Sequence, residues 1–454
     1  MRAVAMATDD DWRKDLSFWL QPFLVSLSHP ARRAMCPLYV AGLIGLGERK
    51  SVQPMAARAE GVSYDRLHHF IAAGIWDAAP LEQALVAQAD RLVGGTDTIL
   101  VVDDTALPKK GERSVGVAPQ YATTLGKNAN CQTLVSLTLA RGEVPVAVGL
   151  RLFLPEVWTG DPDRMARAGV PEDLRRPRTK AEIALCEIDR VRAEGARFGV
   201  VLADAGYGSS APFRQALSER GLTWAVGISR RNKVYPLDVA MVFPIAGRGR
   251  PRQRHVPDQP SVAAETVLAD LAGRVVTWRR GTKGRLSARF CAVRVRAADG
   301  PTQRIGTMGN QHLPGEEVWL VREERTSGER KYYLSNLPAE AALKQLAGLI
   351  KARWICEQAH QQMKEELGLD HFEGRSWTGL HRHALMTMMA YAFLQSRRLD
   401  AAGRKKKEPA ARRLIPPCRR SDRPFSIISN SRHLGAASIV TLLSISHPDG
   451  DLPK

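Results

Sequence analysis

Two short apolar runs, each stopping on an acidic residue, constrain this chain more than any other feature. Ile99-Leu100-Val101-Val102 ends at Asp103-Asp104-Thr105, and the run 198–203 ends at Asp204-Ala205-Gly206-Tyr207-Gly208. Apolar runs of about four to eight residues, rich in Val and Ile and closed by turn formers, read as strands buried on both faces. Such strands belong in a sheet covered by helices, and each delivers a carboxylate to the sheet end where α/β sites form. Asp103 and Asp104 point to opposite faces of an extended strand, so only one of them readily faces a common site.

A helix far downstream offers a third acid, Glu357, within Arg353-Trp354-Ile355-Cys356-Glu357. Arg353, Glu357, His360 and Lys364 recur at helical spacing and share one face, a carboxylate flanked by cations. Trp354 and Ile355 turn off that face and anchor the helix in the core. Two strand-end aspartates joined by a helix glutamate can hold two divalent ions about 4 Å apart against a phosphodiester. Hard Mg²⁺ prefers such oxygen ligands.

The rest of the chain organises around that set. A length of 454 residues exceeds one ordinary core, so two or three domains are expected. We expect a helical N-terminal domain over 1–95 that binds DNA. Within it, a helix over 51–59, a turn at Gly61, a Ser63 cap and a second helix over 64–70 form a helix-turn-helix pattern. Strands over 131–139 and 144–150 flank a Gly142 turn, followed by a helix over 180–194, the strand ending at Asp204, a helix near 212–220 and a strand over 223–228. That order fits an α/β fold with an RNase H-like mixed sheet and flanking helices, its first part over 96–234. A β-rich insertion is expected over 235–336, helices completing the core over 337–400, and a basic, flexible tail over 401–454.

Charge names the partner. Lys and Arg number 66 against 47 Asp and Glu, a net +19, which draws the chain to a polyanion such as DNA. No apolar run approaches the ~20 residues needed to cross a bilayer, and the first 15 residues carry no signal-peptide core. The six cysteines show no paired spacing, which excludes a Cys-rich zinc or disulfide framework and fits a reducing cytoplasm.

These residues resemble the DDE transposases of bacterial insertion sequences, over roughly 98–394. The Tyr-Arg-Glu-Lys signature of one branch is matched at Arg353, Glu357 and Lys364, with Ile350 standing where the Tyr would be. The first family Asp usually precedes Thr or Ser, which favours Asp104 over Asp103; Leu202-Ala203-Asp204 matches the second. The resemblance implies Asp104, Asp204 and Glu357 as catalytic ligands of two Mg²⁺ ions, replaceable by Mn²⁺, with Arg353 and Lys364 on DNA phosphates. It implies cleavage and strand transfer at terminal inverted repeats, by at least a homodimer on DNA. Trp319 or Trp278 would stack on a flipped base, and Gln120, Tyr121, Lys127, Asn130 and Gln132 would line the DNA path. Asp370, His371, His381 and His383 are assigned to packing and backbone contact. Two other readings are a nuclease of the same fold without strand transfer and a catalytically dead, transposase-derived DNA-binding protein.

Overall fold

The run at Ile99 folds as strand β1 (Ile99–Pro108), buried at every position except Asp104 and Pro108, as a strand covered on both faces must be. The computed structural model describes residues 12–59, 61–122, 125–243, 254–281, 284–305 and 309–407. After β1 come β2 (Ala118–Ala122), β3 (Lys127–Arg141), β4 (Val144–Leu152), β5 (Val200–Ala203) and β6 (Trp224–Ile228). β1 pairs antiparallel with β3 and parallel with β5, which pairs parallel with β6. β2 and β4 pair with β3, and Gly142 turns the β3–β4 connection at φ 61°. That angle lies in the left-handed region, where a side chain is strained.

Residues 233–335 extend the same sheet. β7 (Lys233–Pro236), β8 (Arg274–Gly281), β9 (Gly284–Ala297), β10 (Glu317–Glu324) and β11 (Arg330–Ser335) enter through β11, which pairs with β6 so that Leu334 faces Val226. β10 joins β11, β9 joins β10, and β7 and β8 both join β9. Among the described residues twelve strands form this one mixed sheet, the twelfth being Val262–Ala263 on β7. Most strands of the expected insertion thus continue the central sheet, while Met241–Val242 with Val256–Pro257 and Thr302–Arg304 with Asn310–His312 form two small sheets of their own.

Helices flank it. Residues 12–93 hold helices and no strand among the described residues, including α1 (Pro30–Ile44), α2 (Val52–Arg58), α3 (Tyr64–His68) and α4 (Ala79–Val93). Between α2 and α3, Gly61 sits at φ 70° and the Ser63 hydroxyl accepts from the Arg66 amide at 3.4 Å. α5 (Lys180–Ala193) starts on a capping box, with Thr179 and Glu182 exchanging side-chain and backbone hydrogen bonds. Buried charge locks α4, α5 and the sheet together: Arg151 on β4 pairs with Glu82, and its Nε donates to Glu187 at 2.8 Å.

Downstream, α6 (Leu343–Ala352) runs into α7 (Trp354–Glu365), with the break at Arg353. Ile350, Ile355 and Cys356 join the core formed by Val101, Leu202, Phe290 and Val321, so α7 packs on the β1–β5 region. Ile350 is thus a packing residue, which explains an apolar side chain there. α8 (Trp377–Lys407) buries Leu385, Met386 and Tyr391. Tyr391 donates to Gln362 on α7 at 2.8 Å, and Arg382 donates to the Gly74 and Trp76 carbonyls at 2.7 and 2.6 Å. Up to Ala401 these elements belong to one unit. The expected basic tail lies outside the described residues beyond Lys407. No helix among the described residues is long and apolar enough to cross a membrane.

Candidate active site

The adjacent ends of β1 and β5 bring the aspartates together. Val102 stands opposite Ala203, so Asp103, Asp104 and Asp204 follow on neighbouring strands. Asp204 caps its own short turn, its Oδ1 accepting from the Gly206 and Tyr207 amides at 2.9 and 3.3 Å. That turn presses on β6: a Cβ at Gly208 would lie 2.1 Å from the Gly227 carbonyl oxygen, so both glycines serve a close approach.

Asp103 and Asp104 have different company. Asp103 is buried, and three donors occupy it: the Asp104 amide at 2.9 Å on Oδ1, Arg353 Nη1 at 2.6 Å and Cys356 Sγ at 3.1 Å on Oδ2. Asp104 is half-buried and turned to α5, its Oδ2 2.5 Å from Lys180 Nζ and its Oδ1 accepting from the Tyr207 hydroxyl. Glu357 is exposed on α7 and accepts from Arg353 Nη2 at 2.7 Å. Through that guanidinium it is linked to Asp103.

The electrostatics mark a site short of cations. Burial pushes the Asp104 carboxyl up; Lys180 and the Tyr207 hydroxyl pull it down without cancelling the shift. Burial also raises Asp204, helped by repulsion from Asp103 and Asp104. Burial opposes the Arg353 charge, but Asp103, Glu357 and Asp204 outweigh it and hold the guanidinium protonated. Raised carboxyls at Asp104 and Asp204 are the kind of oxygen donor a hard divalent ion relieves, although the ligand atoms of Asp104, Asp204 and Glu357 do not converge within 4.8 Å of one another in this arrangement.

A second set is softer. Ligand atoms of Asp103, Cys356 and His360 lie within 4.8 Å of one another, all buried. Arg353 already supplies the cation there, and burial keeps the Cys356 thiol protonated. These residues read as a buckle. The Ser136 hydroxyl on β3 donates to the Asp103 carbonyl at 3.0 Å, leaving His360 Nε2, 2.8 Å from Ser136 Oγ, to donate in turn. Burial lowers the His360 pKa to about 4. His360 is therefore neutral, which corrects the expectation that it flanks Glu357 as a cation.

Other expected residues scatter. Lys364 is half-buried on α7, and burial lowers its pKa. Lys127 is exposed at the start of β3, as is Tyr121 on β2. Gln120, Asn130 and Gln132 spend their amides on backbone carbonyls of Cys131, Lys109 and Val115, at 2.6 to 3.0 Å. Trp319 donates to the Pro338 carbonyl at 3.0 Å with Arg294 over its ring, and Trp278 meets Phe290 edge-on beneath Lys351. His381 is partly buried, and His383 is enclosed between the Tyr39 hydroxyl at 2.8 Å and the Gly368 carbonyl at 2.9 Å.

Sequence reasoning missed Lys180, Tyr207, Ser136 and Cys356 as neighbours of the acids. Tyr207 lies three residues past Asp204, where a turn can fold it back. Lys180 carried no signal beyond following the Thr179 cap.

Comparison with known proteins shows the family of the chain. The family described as DDE superfamily endonuclease matches residues 22–285, more than half of the chain. A probable transposase for insertion sequence element IS701 from Microchaete diplosiphon is 32% identical over 196 residues, covering 42% of this chain and 48% of that protein. The chain thus spans about half the length of this relative. The crystal structure of the NurA nuclease from Sulfolobus solfataricus aligns with 60% of this chain and 79% of its own at 11% identity, with a TM-score of 0.22, well short of a shared fold.

Proposed function

Because this chain belongs to the DDE superfamily of endonucleases, we propose that it is the DNA transposase of an insertion sequence. It binds the terminal inverted repeats of its element, hydrolyses a phosphodiester to free a 3′-OH and directs that hydroxyl at target DNA. The observation that supports this reading is the succession of Asp104 and Asp204 at adjacent strand ends, both carboxyls raised by burial, with Glu357 tied through Arg353 to Asp103 beside them. The net charge of +19 suits a DNA substrate. β1, β5 and β6 run parallel beside an antiparallel β3, which supports an RNase H-like core.

Asp104, Asp204 and Glu357 would hold two Mg²⁺ ions, or Mn²⁺ in their place. Bound there, such ions would lower the pKa of water and stabilise charge on the phosphate. Asp104 is preferred to Asp103 as the ligand because three donors already occupy Asp103, while Lys180 on Asp104 is an exchangeable cation. Arg353 bridges Asp103 and Glu357 and orients the glutamate; with Lys364 it positions DNA phosphates, and Lys127 adds an outer contact. The helices of residues 12–93 would grip the inverted repeats, and a dimer would pair two ends in the cytoplasm.

The test is Mg²⁺-dependent cleavage of a DNA end carrying the native inverted repeat, wild type against Glu357→Gln. Cleavage and joining by wild type, with neither by the variant, is expected. Equal cleavage by both removes Glu357 from the mechanism, and cleavage without joining leaves a nuclease. No cleavage by wild type leaves a DNA-binding protein.

A further inference from the structure

A cavity of about 170 Å³ opens between β4, α5 and the start of α8. Leu154, Ile183 and Trp377 give it apolar walls, and Arg176 and Arg178 stand on the loop that leads into α5. The charge inside is already settled, because Arg151 and Glu187 meet at 2.8 Å. Arg176 and Arg178 have no hydrogen bond or ion pair among the described residues. Both arginines share the field of Glu182, which is tied up in the Thr179 cap, so two cations against one carboxylate leave the mouth of the cavity net positive.

Its position matters as much as its charge. Lys180, Ile183 and Glu187 recur on one face of α5. Lys180 ends on Asp104, whereas Ile183 and Glu187 line the cavity. At 1.5 Å per residue the cavity begins about 5 Å along the helix from the residue that touches the acids. A ligand seated there needs an apolar, preferably flat body, an anionic edge, and continuity with whatever reaches Asp104. An unpaired nucleotide has all three: a base that packs on apolar and aromatic side chains, and phosphates that meet arginines.

We propose that this cavity seats one unpaired nucleotide of the DNA strand that runs to the acidic centre, its base against Ile183 and Trp377 and its phosphates on Arg176 and Arg178. Lys180 then holds the phosphate that joins the seated nucleotide to the one at the acids. This assignment rests on the reading of the chain as a DNA-cutting enzyme.

Cys186 provides the readout, since it lines the cavity and its thiol is exposed. The full chain is mixed with fluorescein-labelled oligothymidylate of eight residues in EDTA, and anisotropy is followed against salt. Each lost phosphate contact on a single strand removes about 0.7 from the slope of log affinity against log salt, so Arg176→Ser/Arg178→Ser lowers it by about 1.4. Saturating oligonucleotide slows iodoacetamide alkylation of Cys186, read by peptide mass, in wild type and not in the double variant. Cys186→Trp fills the cavity and weakens binding about tenfold, the loss of one stacked base, with the salt slope unchanged.

Failure to bind the oligonucleotide, binding that leaves the Cys186 rate unchanged, or a double variant with the wild-type slope each overturns the proposal. Protection of Cys186 by a chain that never cleaves DNA overturns the enzyme reading and leaves the seat standing. Cleavage without protection does the reverse.

Discussion

Asp103 and Glu357, far apart in sequence, hold the same guanidinium: Arg353 reaches the first at 2.6 Å and the second at 2.7 Å. One side chain therefore sets the distance between the strand that carries the aspartates and the helix that carries the glutamate. Arg353→Gln leaves a buried carboxylate without its cation, and removing one partner of such a pair costs about 3 kcal/mol. The metal-free variant should melt well below wild type. Added Mg²⁺ or Mn²⁺ should then raise its Tm more than that of wild type, because a bound cation relieves the unpaired acids. Equal metal-free melting temperatures would remove the bridge from this account.

Asp103 and Asp104 should part company when each is changed to Asn. Asp104→Asn removes the carboxylate that only Lys180 and Tyr207 occupy, and cleavage should fall by a factor of about 100 or more with the fold intact. Asp103→Asn should instead lower Tm, since Arg353 and Cys356 lose their anionic partner. Mn²⁺ binding followed by electron paramagnetic resonance separates the two. Weaker binding in Asp103→Asn than in Asp104→Asn would exchange their roles.

Arg151→Met tests the lock between α4, β4 and α5. Glu82 and Glu187 have side chains only 10% and 8% exposed, and both depend on Arg151. Leaving them buried without it costs about 3–5 kcal/mol. Urea unfolding should show that loss; a change below about 1 kcal/mol would mean that Arg190, which also pairs with Glu187, suffices.

Acid should loosen the protein through three histidines whose charged form burial opposes. Burial lowers His360, His381 and His383 from the ordinary value of 6.5 to about 4. Between those values the unfolded chain binds a proton that the folded chain refuses. Stability is thus complete above pH 6.5 and declines as pH falls toward 4, by about 1.4 kcal/mol per pH unit for each histidine. His383→Gln should reduce the loss between pH 7 and pH 5 by about 2 kcal/mol, measured by denaturant unfolding at both values. An unchanged loss would place the acid sensitivity elsewhere.

The strand ends and the helix face that make up the candidate site were legible because their signals are local. A buried strand advertises itself by an apolar run, and a turn-forming Asp marks its end, so Asp104 and Asp204 could be found from neighbours in sequence. The face shared by Arg353 and Glu357 follows from helical spacing alone. What eluded reading depends on partners chosen in three dimensions. His360 has the spacing of a surface residue beside Glu357, yet Ser136 on β3 waits above it and makes it interior. Lys180 meets Asp104 only because α5 packs across the sheet end. The strands of residues 233–335 have the same periodicity whether they build their own sheet or extend another. Their attachment is decided by the pairing of β11 with β6, which no local pattern encodes.

That pairing also sets an order of assembly. Val226 and Leu334 are neighbours across the sheet, but the ribosome makes everything between them before they can meet. Until Arg330–Ser335 emerges, β6 is the open flank of a growing sheet, a row of unpaired amides and carbonyls ready to template on another chain. Closing a contact over so long a loop is slow. Asp104 and Asp204 are thus delivered early, on an adhesive half-sheet, and Arg353 and Glu357 arrive only after the flank can be sealed. A chain halted within residues 229–329 keeps that edge of β6 without its β11 partner.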